Sequence, residues 1–377
     1  MKILINALGI QDSGGITVFE KVLEELLLNK ENQYIIIANN NLNINILITK
    51  YKNIDFFEFI TIPSKGFLHR LYYENIKFKI IIEEKNIDLI YNFSGSSQFF
   101  IKTTQLIKIH NLLFYSKKLD AIYIKHNKFI LWLKQIYLKR IVFKAMMNKG
   151  KYFEVQSSHV KKYLSDYANI KNKNFYIKSD IDVSPNLFLK PKQYDFNKKI
   201  KFFFIVGPHF EYLHKNFKDF TNAMSELKKQ NLNFEINITL TKNQLINSTQ
   251  WNNKLNKYTN FLGYIDTKEK MNKLFCDNTI LISTSIIETL GLHIIEGIKN
   301  GVITIAPKEE YSKSVYGKNI ITYDLFKDKS LSNSIFSIIN TKINCKEYIV
   351  KLQEDLKTNE KNKYNNILDI FEKVKNV

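Results

Sequence analysis

Two cysteines, Cys276 and Cys345, stand far apart in a chain of 377 residues. They form no CxxC pattern, so neither a disulfide framework nor a thiolate metal cluster organises this fold, and a reducing compartment is expected. Arginine is nearly missing, with only Arg70 and Arg140. Readers of nucleic-acid sequence rely on the planar guanidinium for bidentate contacts, so no nucleic-acid partner is expected. No run of about 18 apolar residues occurs, which excludes an ordinary membrane-spanning helix. The opening MKILINALGI is apolar only briefly before Gln11 and Asp12, and reads as a first strand rather than a signal peptide. Acidic residues are few, 36 against 56 Lys+Arg, a formal charge of +20. Nearly all of that excess is lysine, and each lysine near an anionic bilayer contributes about 1 kcal/mol. A cytoplasmic protein that rests peripherally on the inner face of the membrane is consistent with these numbers.

Hydrophobic residues make up 45% of the chain and charged residues 24%, the balance of a folded globular protein. At this length one core is too small, and two domains are expected. Strand-like runs at 2–9, 33–38, 55–62, 87–92, 105–110 and 151–156 alternate with helical stretches such as 16–29, 67–85 and 158–167. Further runs at 201–207, 234–240, 260–265, 279–285, 302–306 and 319–323 repeat the alternation. Strand and helix in turn imply parallel sheets covered on both faces, an α/β chain of two doubly wound Rossmann-like domains. The expected boundaries are 1–185 for the first domain, 186–199 for a polar linker and 200–345 for the second. Helices over 346–377 are expected to cross back to the first domain.

The stretch TILISTSIIETLGLHIIEGIKNGVITIAP, from Thr279 to Pro307, is the most informative. A buried strand leads into a turn holding Glu288, Thr289, Leu290 and Gly291, and a helix from Leu292 to Asn300 follows. Gly301 closes that helix where a left-handed residue is wanted. Glu288 precedes the helix and Glu296 lies inside it, so both can face the crevice at the carboxyl end of the strand. The first amides of the helix, at Gly291 and Leu292, have no intrahelical acceptor and suit a phosphate, while a carboxylate one turn in suits a ribose diol.

E-T-L-G-L-x-x-x-E-G resembles the wording of retaining glycosyltransferases of the GT-B fold, family four (group 1), whose usual form is E-G-F-G-L-x-x-x-E-A. His214-Lys215-Asn216 likewise resembles the H-K-N found after the first strand of the second domain in bacterial members. The resemblance implies two Rossmann-like domains facing a central cleft. It implies transfer of a sugar from a nucleotide diphosphate-sugar to a saccharide or lipid-linked acceptor, with retention and without a metal or other cofactor. Lys215 and, six residues before it, His209 fall where the family places a lysine and an arginine on the donor diphosphate. Histidine there is a departure, because it carries a full charge only when protonated. The resemblance further places Glu288 on the transferred sugar, Glu296 on the ribose, Gly263 near the nucleobase and His110 close to the donor sugar. Gly14 and Gly15 line the cleft from the first domain. Asp180-Ile181-Asp182 is a DxD, the metal-holding pair of the other large glycosyltransferase fold, but it precedes SPNLF and reads as linker. No metal site is expected.

Residues 117–151 hold ten Lys/Arg and the single acid Asp120, mixed with Tyr123, Phe129, Trp132, Tyr137 and Phe143. Basic helices carrying aromatics suit an anionic membrane surface, or else pack on the domain with solvated lysines. Bacterial surface polysaccharide, such as capsule, O-antigen or lipooligosaccharide, is the setting the resemblance implies. Three other readings stay open: a sugar-nucleotide epimerase of the same fold, a binding protein that has lost catalysis, and a basic membrane or polyanion adaptor.

Overall fold

In the computed structural model, residues 1–10, 13–63, 66–168, 173–341, 343–361 and 363–375 are described. Two compact units emerge: Met1–Asp180 with Lys363–Val377, and Ile181–Asn362. The first holds seven strands: β1 (Lys2–Ala7), β2 (Gln33–Asn39), β3 (Phe57–Ile62), β4 (Leu89–Asn92), β5 (Thr104–Ile109), β6 (Tyr152–Val155) and β7 (Asn174–Ile177). Their order is β3-β2-β1-β4-β5-β6-β7, with every pair parallel. In the second lie β8 (Ile200–Phe204), β9 (Phe234–Ile238), β10 (Thr259–Phe261), β11 (Thr279–Ile282), β12 (Ile303–Pro307) and β13 (Ile321–Tyr323). These run β10-β9-β8-β11-β12-β13, again all parallel.

The sequence of β8 shows why the sheets are covered on both faces. Phe202 and Phe204 enter one hydrophobic cluster, while Phe203, pointing the other way, enters another. A strand buried on both sides reads as a continuous apolar run, KFFFIVG, rather than an alternation. Each sheet reverses its winding once, between β1 and β4 in the first and between β8 and β11 in the second. The loops leaving those strands splay apart at their carboxyl ends and open a crevice there.

Three readings differ from the sequence expectation. Asp180 is not linker: its side chain is fully buried in the first unit, 2.8 Å from Lys108 and 3.3 Å from Lys178. The 186–199 stretch lies against the second unit, where Leu189 and Lys192 donate their amides to Lys299 and Gly301 carbonyls at 2.7 and 2.8 Å. The helix Cys345–Glu360 also stays with the second unit, and Gln353 there donates to the Leu189 and Ile298 carbonyls, each at 3.0 Å. Only Ile367–Lys375 joins the first. Its Phe371 ring packs on Tyr91 at 5.4 Å, and its first amide donates to Glu25 at 2.9 Å.

Two long helices of the first unit, over 67–85 and 129–149, each pass through a π-turn without breaking. One cation of the basic stretch is structural: Arg140 forks onto Asp120 at 2.7 and 2.8 Å, and Trp132 donates to the same carboxylate at 2.7 Å. No helix among the described residues is long and apolar enough to cross a membrane.

Candidate active site

The second unit assembles its site from the two loops at its winding reversal. After β8 the chain forms a short turn, Leu213–Lys215, and Asn216 adopts a left-handed conformation (φ 46°) before the helix Phe217–Lys229. Asparagine tolerates that conformation because its side chain bonds locally, here to Asp219 at 2.7 Å. After β11 the chain runs through Ser283–Leu290 to the helix Leu292–Lys299. Backbone bonds stitch the loops together: the Ile286 amide donates to the His214 carbonyl at 2.8 Å, and Thr284 Oγ1 to the Lys215 carbonyl at 2.7 Å. Tyr311 Oη holds the second loop from below through the Ser285 carbonyl at 2.5 Å.

That stitching sets Lys215 Nζ 2.9 Å from Glu288 Oε1. Both side chains remain partly open, 31% and 18% exposed. Burial would raise the Glu288 carboxyl, but the Lys215 charge, His293 and hydrogen bonds from Lys215 and Ser285 outweigh it and hold it at about 2. Glu288 is therefore an acceptor and never an acid at working pH. Glu296, one turn inside the helix, is half-buried, and no partner for its carboxylate is found among the described residues.

Gly291 begins the helix with φ +60°, and a Cβ there would lie 2.0 Å from Tyr316 Oη. Its amide and that of Leu292 have no acceptor among the described residues. The Leu290 side chain is buried in the core and Leu292 packs against it, so only their backbones face the site. Gly291→Ala combines a left-handed alanine with that collision. It is expected to lower stability by roughly 1–3 kcal/mol in urea unfolding and to weaken any anion bound at the helix start. Unchanged unfolding would mean that Tyr316 moves freely.

His293 is a site residue that the sequence reading missed, because it occupies a free position of the E-T-L-G-L-x-x-x-E-G wording. His209 is exposed and lies parallel to the Tyr212 ring at 5.0 Å, and no contact joins it to Lys215. Gly263 takes φ +66° beside Thr241, and Thr289 is half-buried. No group of three or more His, Cys, Asp or Glu able to hold a metal ion is found among the described residues.

Gly14, Gly15 and His110 belong to the first unit. There a cavity of about 380 Å³ opens at the carboxyl ends of β1, β4 and β5, where that sheet reverses, and Gly15 and His110 line it. Gly14 lies in the first turn of the helix Ser13–Leu26 with open space around it. His110 Nε2 is 2.6 Å from the Phe93 carbonyl, which only accepts, so that nitrogen carries the proton.

Burial, then the Lys108 charge, pushes the His110 pKa down to about 4. Burial and Lys215 do the same to His214. Burial, opposed by Glu288, takes His293 to about 4 as well. All three are neutral at pH 7. Their folded pKa lies below the unfolded value of about 6.5, so the unfolded chain takes up protons first. Their contribution is complete above pH ~6.5 and is lost as pH falls towards 4, on the order of 1–3 kcal/mol per histidine. The urea midpoint is expected to drop markedly from pH 7 to pH 5, and a flat midpoint would show these rings to be solvated.

A carboxylate–lysine pair lies beside the open amides of a helix at the reversal of a doubly wound sheet, an arrangement chemically suited to an anion. The comparisons with known proteins make the class specific. Residues 188–363 match the family of glycosyl transferases group 1. A search of curated proteins finds no match. Among solved structures, a glycosyltransferase from Rickettsia africae superposes with TM-score 0.63 at 16% identity, over 99% of this chain and 98% of that one. The Anabaena protein HepE in complex with UDP and glucose gives 0.62 at 13%, over 100% of both chains. The lipopolysaccharide outer core galactosyltransferase WaaB gives 0.64 at 13%, over 99% and 100%. The second unit carries a group 1 glycosyltransferase domain, and the chain is a glycosyltransferase with the two Rossmann-like domains of the GT-B fold.

Proposed function

We propose that the protein transfers a sugar from a nucleotide diphosphate-sugar to a hydroxyl of a saccharide or lipid-linked acceptor, with retention, in the assembly of a bacterial surface polysaccharide. The observation that carries this reading is Lys215, held by Glu288 at 2.9 Å beside the amides of Gly291 and Leu292. The hard step is the negative charge that grows on the diphosphate as the glycosidic bond breaks. An ammonium and fixed amides aimed at those oxygens stabilise it without reorganising. In this reading Lys215, the two amides and His209 hold the diphosphate, and no metal is needed. Glu296, with its carboxylate uncommitted, binds the ribose diol, and Gly263 opens room for the base. Glu288 accepts hydrogen bonds from the transferred sugar. The departing phosphate oxygen takes the acceptor proton on the face it leaves, so no acid and base carboxylates flanking the bond are required. His110 approaches the donor sugar, Gly14 and Gly15 leave room for the donor, and the lysine-rich stretch 117–151 meets the inner face of the membrane. HepE with UDP and glucose and the lipopolysaccharide galactosyltransferase WaaB support donor and setting by likeness.

The test is a panel of nucleotide diphosphate-sugars incubated with bacterial lipid extract, with the product's anomeric configuration read by NMR. Acceptor-dependent release of the nucleotide and a retained configuration are expected. Inversion would contradict the mechanism. Release of nucleotide with no acceptor present would instead indicate the epimerase.

A further inference from the structure

The charge at the candidate site falls short of the ligand proposed for it. Lys215 and Glu288 form an ion pair at 2.9 Å, so together they are neutral. A diphosphate esterified at both ends still carries a negative charge on each phosphoryl group. His209 is exposed and stacked on Tyr212 at 5.0 Å, with no contact to Lys215 among the described residues. The amides at the helix start offer dipoles, equivalent to only about half an elementary charge. A dianion placed there needs a further cation, and a side chain that can become one stands in the first turn of the same helix.

His293 follows Leu292 at the start of the helix Leu292–Lys299, which Gly291 caps. The Glu288 side chain runs over that start, its Cγ 3.6 Å from where a Cβ on Gly291 would lie. The His293 ring is only half-buried, and no hydrogen-bond partner for it is found among the described residues. The charged groups acting on it come from both loops, Glu288 on one and Lys215 on the other, and they oppose each other. Burial then decides, and the positive end of the helix works in the same direction, so the ring by itself stays neutral. A dianion at the helix start upsets that balance, because negative charge within about 4–6 Å favours the imidazolium. His214 faces the same two side chains, but it is buried and its Nδ1 has no partner. A proton placed on that nitrogen would meet neither water nor acceptor.

We infer that His293 takes up a proton when the donor binds and, as an imidazolium, holds a diphosphate oxygen with the charge that the neutral Lys215–Glu288 pair does not supply. The proton comes from solvent and returns to it when the nucleotide leaves, so His293 is neither acid nor base towards the sugar. The inference rests on the transferase reading and adds to it a proton-linked step in donor binding.

Calorimetric titration of the full chain with UDP-, GDP-, dTDP- and CDP-glucose tests it, at pH ~6 and pH ~8 and in buffers of low and high ionisation enthalpy. The phosphates of these compounds do not titrate in that range, so any proton taken up belongs to the protein. For the compound that binds, the enthalpy at pH ~6 is expected to change with the buffer by the uptake of about one proton, and affinity to be about tenfold higher at pH ~6 than at pH ~8. His293→Gln, which keeps a neutral polar side chain, should still bind but lose both the buffer dependence and the preference for low pH. His209→Gln should keep both. A wild type whose binding enthalpy is the same in every buffer would overturn the inference, whatever the variants do. Proton uptake that survives His293→Gln, or that vanishes in His209→Gln, would overturn it as well. Failure of the wild type to bind any of the four compounds would tell against the transferase reading itself and take this inference with it.

Discussion

Lys215→Ala is expected to lower kcat by about 100- to 1,000-fold, the loss typical of one preorganised contact to developing negative charge. The expectation follows from geometry: Nζ is fixed at 2.9 Å from Glu288 by two loops whose backbones are bonded to each other, so no neighbouring lysine can take its place. Donor affinity should fall as well, because a ground-state diphosphate meets the same ammonium. A second signature distinguishes this from general damage. Burial raises the Glu288 carboxyl, and without the Lys215 charge that opposes it the carboxyl rises from about 2 towards the ordinary carboxylate range. The acid limb of the residual activity should therefore move to higher pH. In the wild type the stabilisation from this pair is present above pH ~4.5 and fades only as pH falls towards 2, the sign for a depressed carboxylate. Lys218→Ala, on the exposed face of the following helix, should leave kcat unchanged. Steady-state kinetics of the three proteins across pH would settle the matter, and equal losses in both variants would contradict a specific role.

The largest effect on stability is expected in the buried ionic network of the first unit. Lys108 is fully buried and lies 2.5 Å from Glu154 and 2.8 Å from Asp180. Lys178, also buried, pairs with Glu25 at 2.8 Å, and Gln156 donates to Asp180 at 2.7 Å. Burial opposes the Asp180 charge, but Lys108 and Lys178 outweigh it and keep its carboxyl well below the usual range. Glu25 accepts the first amide of the terminal helix, so the network ties that helix to β5, β6 and β7. Removing one member of a buried ionic network leaves its partners desolvated and unpaired, at a cost of roughly 3–5 kcal/mol. Lys108→Met should therefore lower the melting temperature by about 10 °C or more for a unit of this size. Adding Glu154→Gln should restore part of the loss, because the orphaned charge disappears. A single variant that melts within a degree or two of the wild type would show that water reaches the network.

The second unit was the more legible half of the sequence. Between Thr279 and Pro307 an apolar run, a glycine turn, an amphipathic helix and Gly301 each give a local signal, and the structure has strand, helix, left-handed Gly301 and strand in that order. Lys215 and Glu288 could be named separately, although their contact spans 73 residues of sequence. His293 escaped notice because no spacing rule marks a histidine in a helix's first turn. Its effect on Glu288 exists only once the fold brings them together.

The first unit hid more. Lys108 and Lys178 look like solvated lysines on strands, since nothing nearby in sequence announces their buried partners 46, 72 and 153 residues away. For the same reason Asp180 read as linker, its polar setting DIDVSPN outweighing a partner that only tertiary structure supplies. On the helix over 67–85, Leu68, Tyr72, Ile76 and Ile80 resemble the buried face of an amphipathic helix but are exposed. Periodicity reports that a helix has an apolar side and is silent on what covers it. Where the terminal helices divide is likewise a matter of tertiary partners, Leu189 and Ile298 for one and Tyr91 and Glu25 for the other.

In the proposed reading Lys215, Glu296 and the start of the helix Leu292–Lys299 form a metal-independent nucleotide diphosphate site. Thermal stability against UDP, GDP, dTDP, CDP and CMP, with EDTA present, measures it most directly, with wild type beside Lys215→Ala and Glu296→Ala. One diphosphate at about 100 times its dissociation constant should stabilise the wild type by about 2.7 kcal/mol, a rise of roughly 5–10 °C. Both variants should lose that rise. No shift with any nucleotide, or a shift that survives both substitutions, would contradict the account.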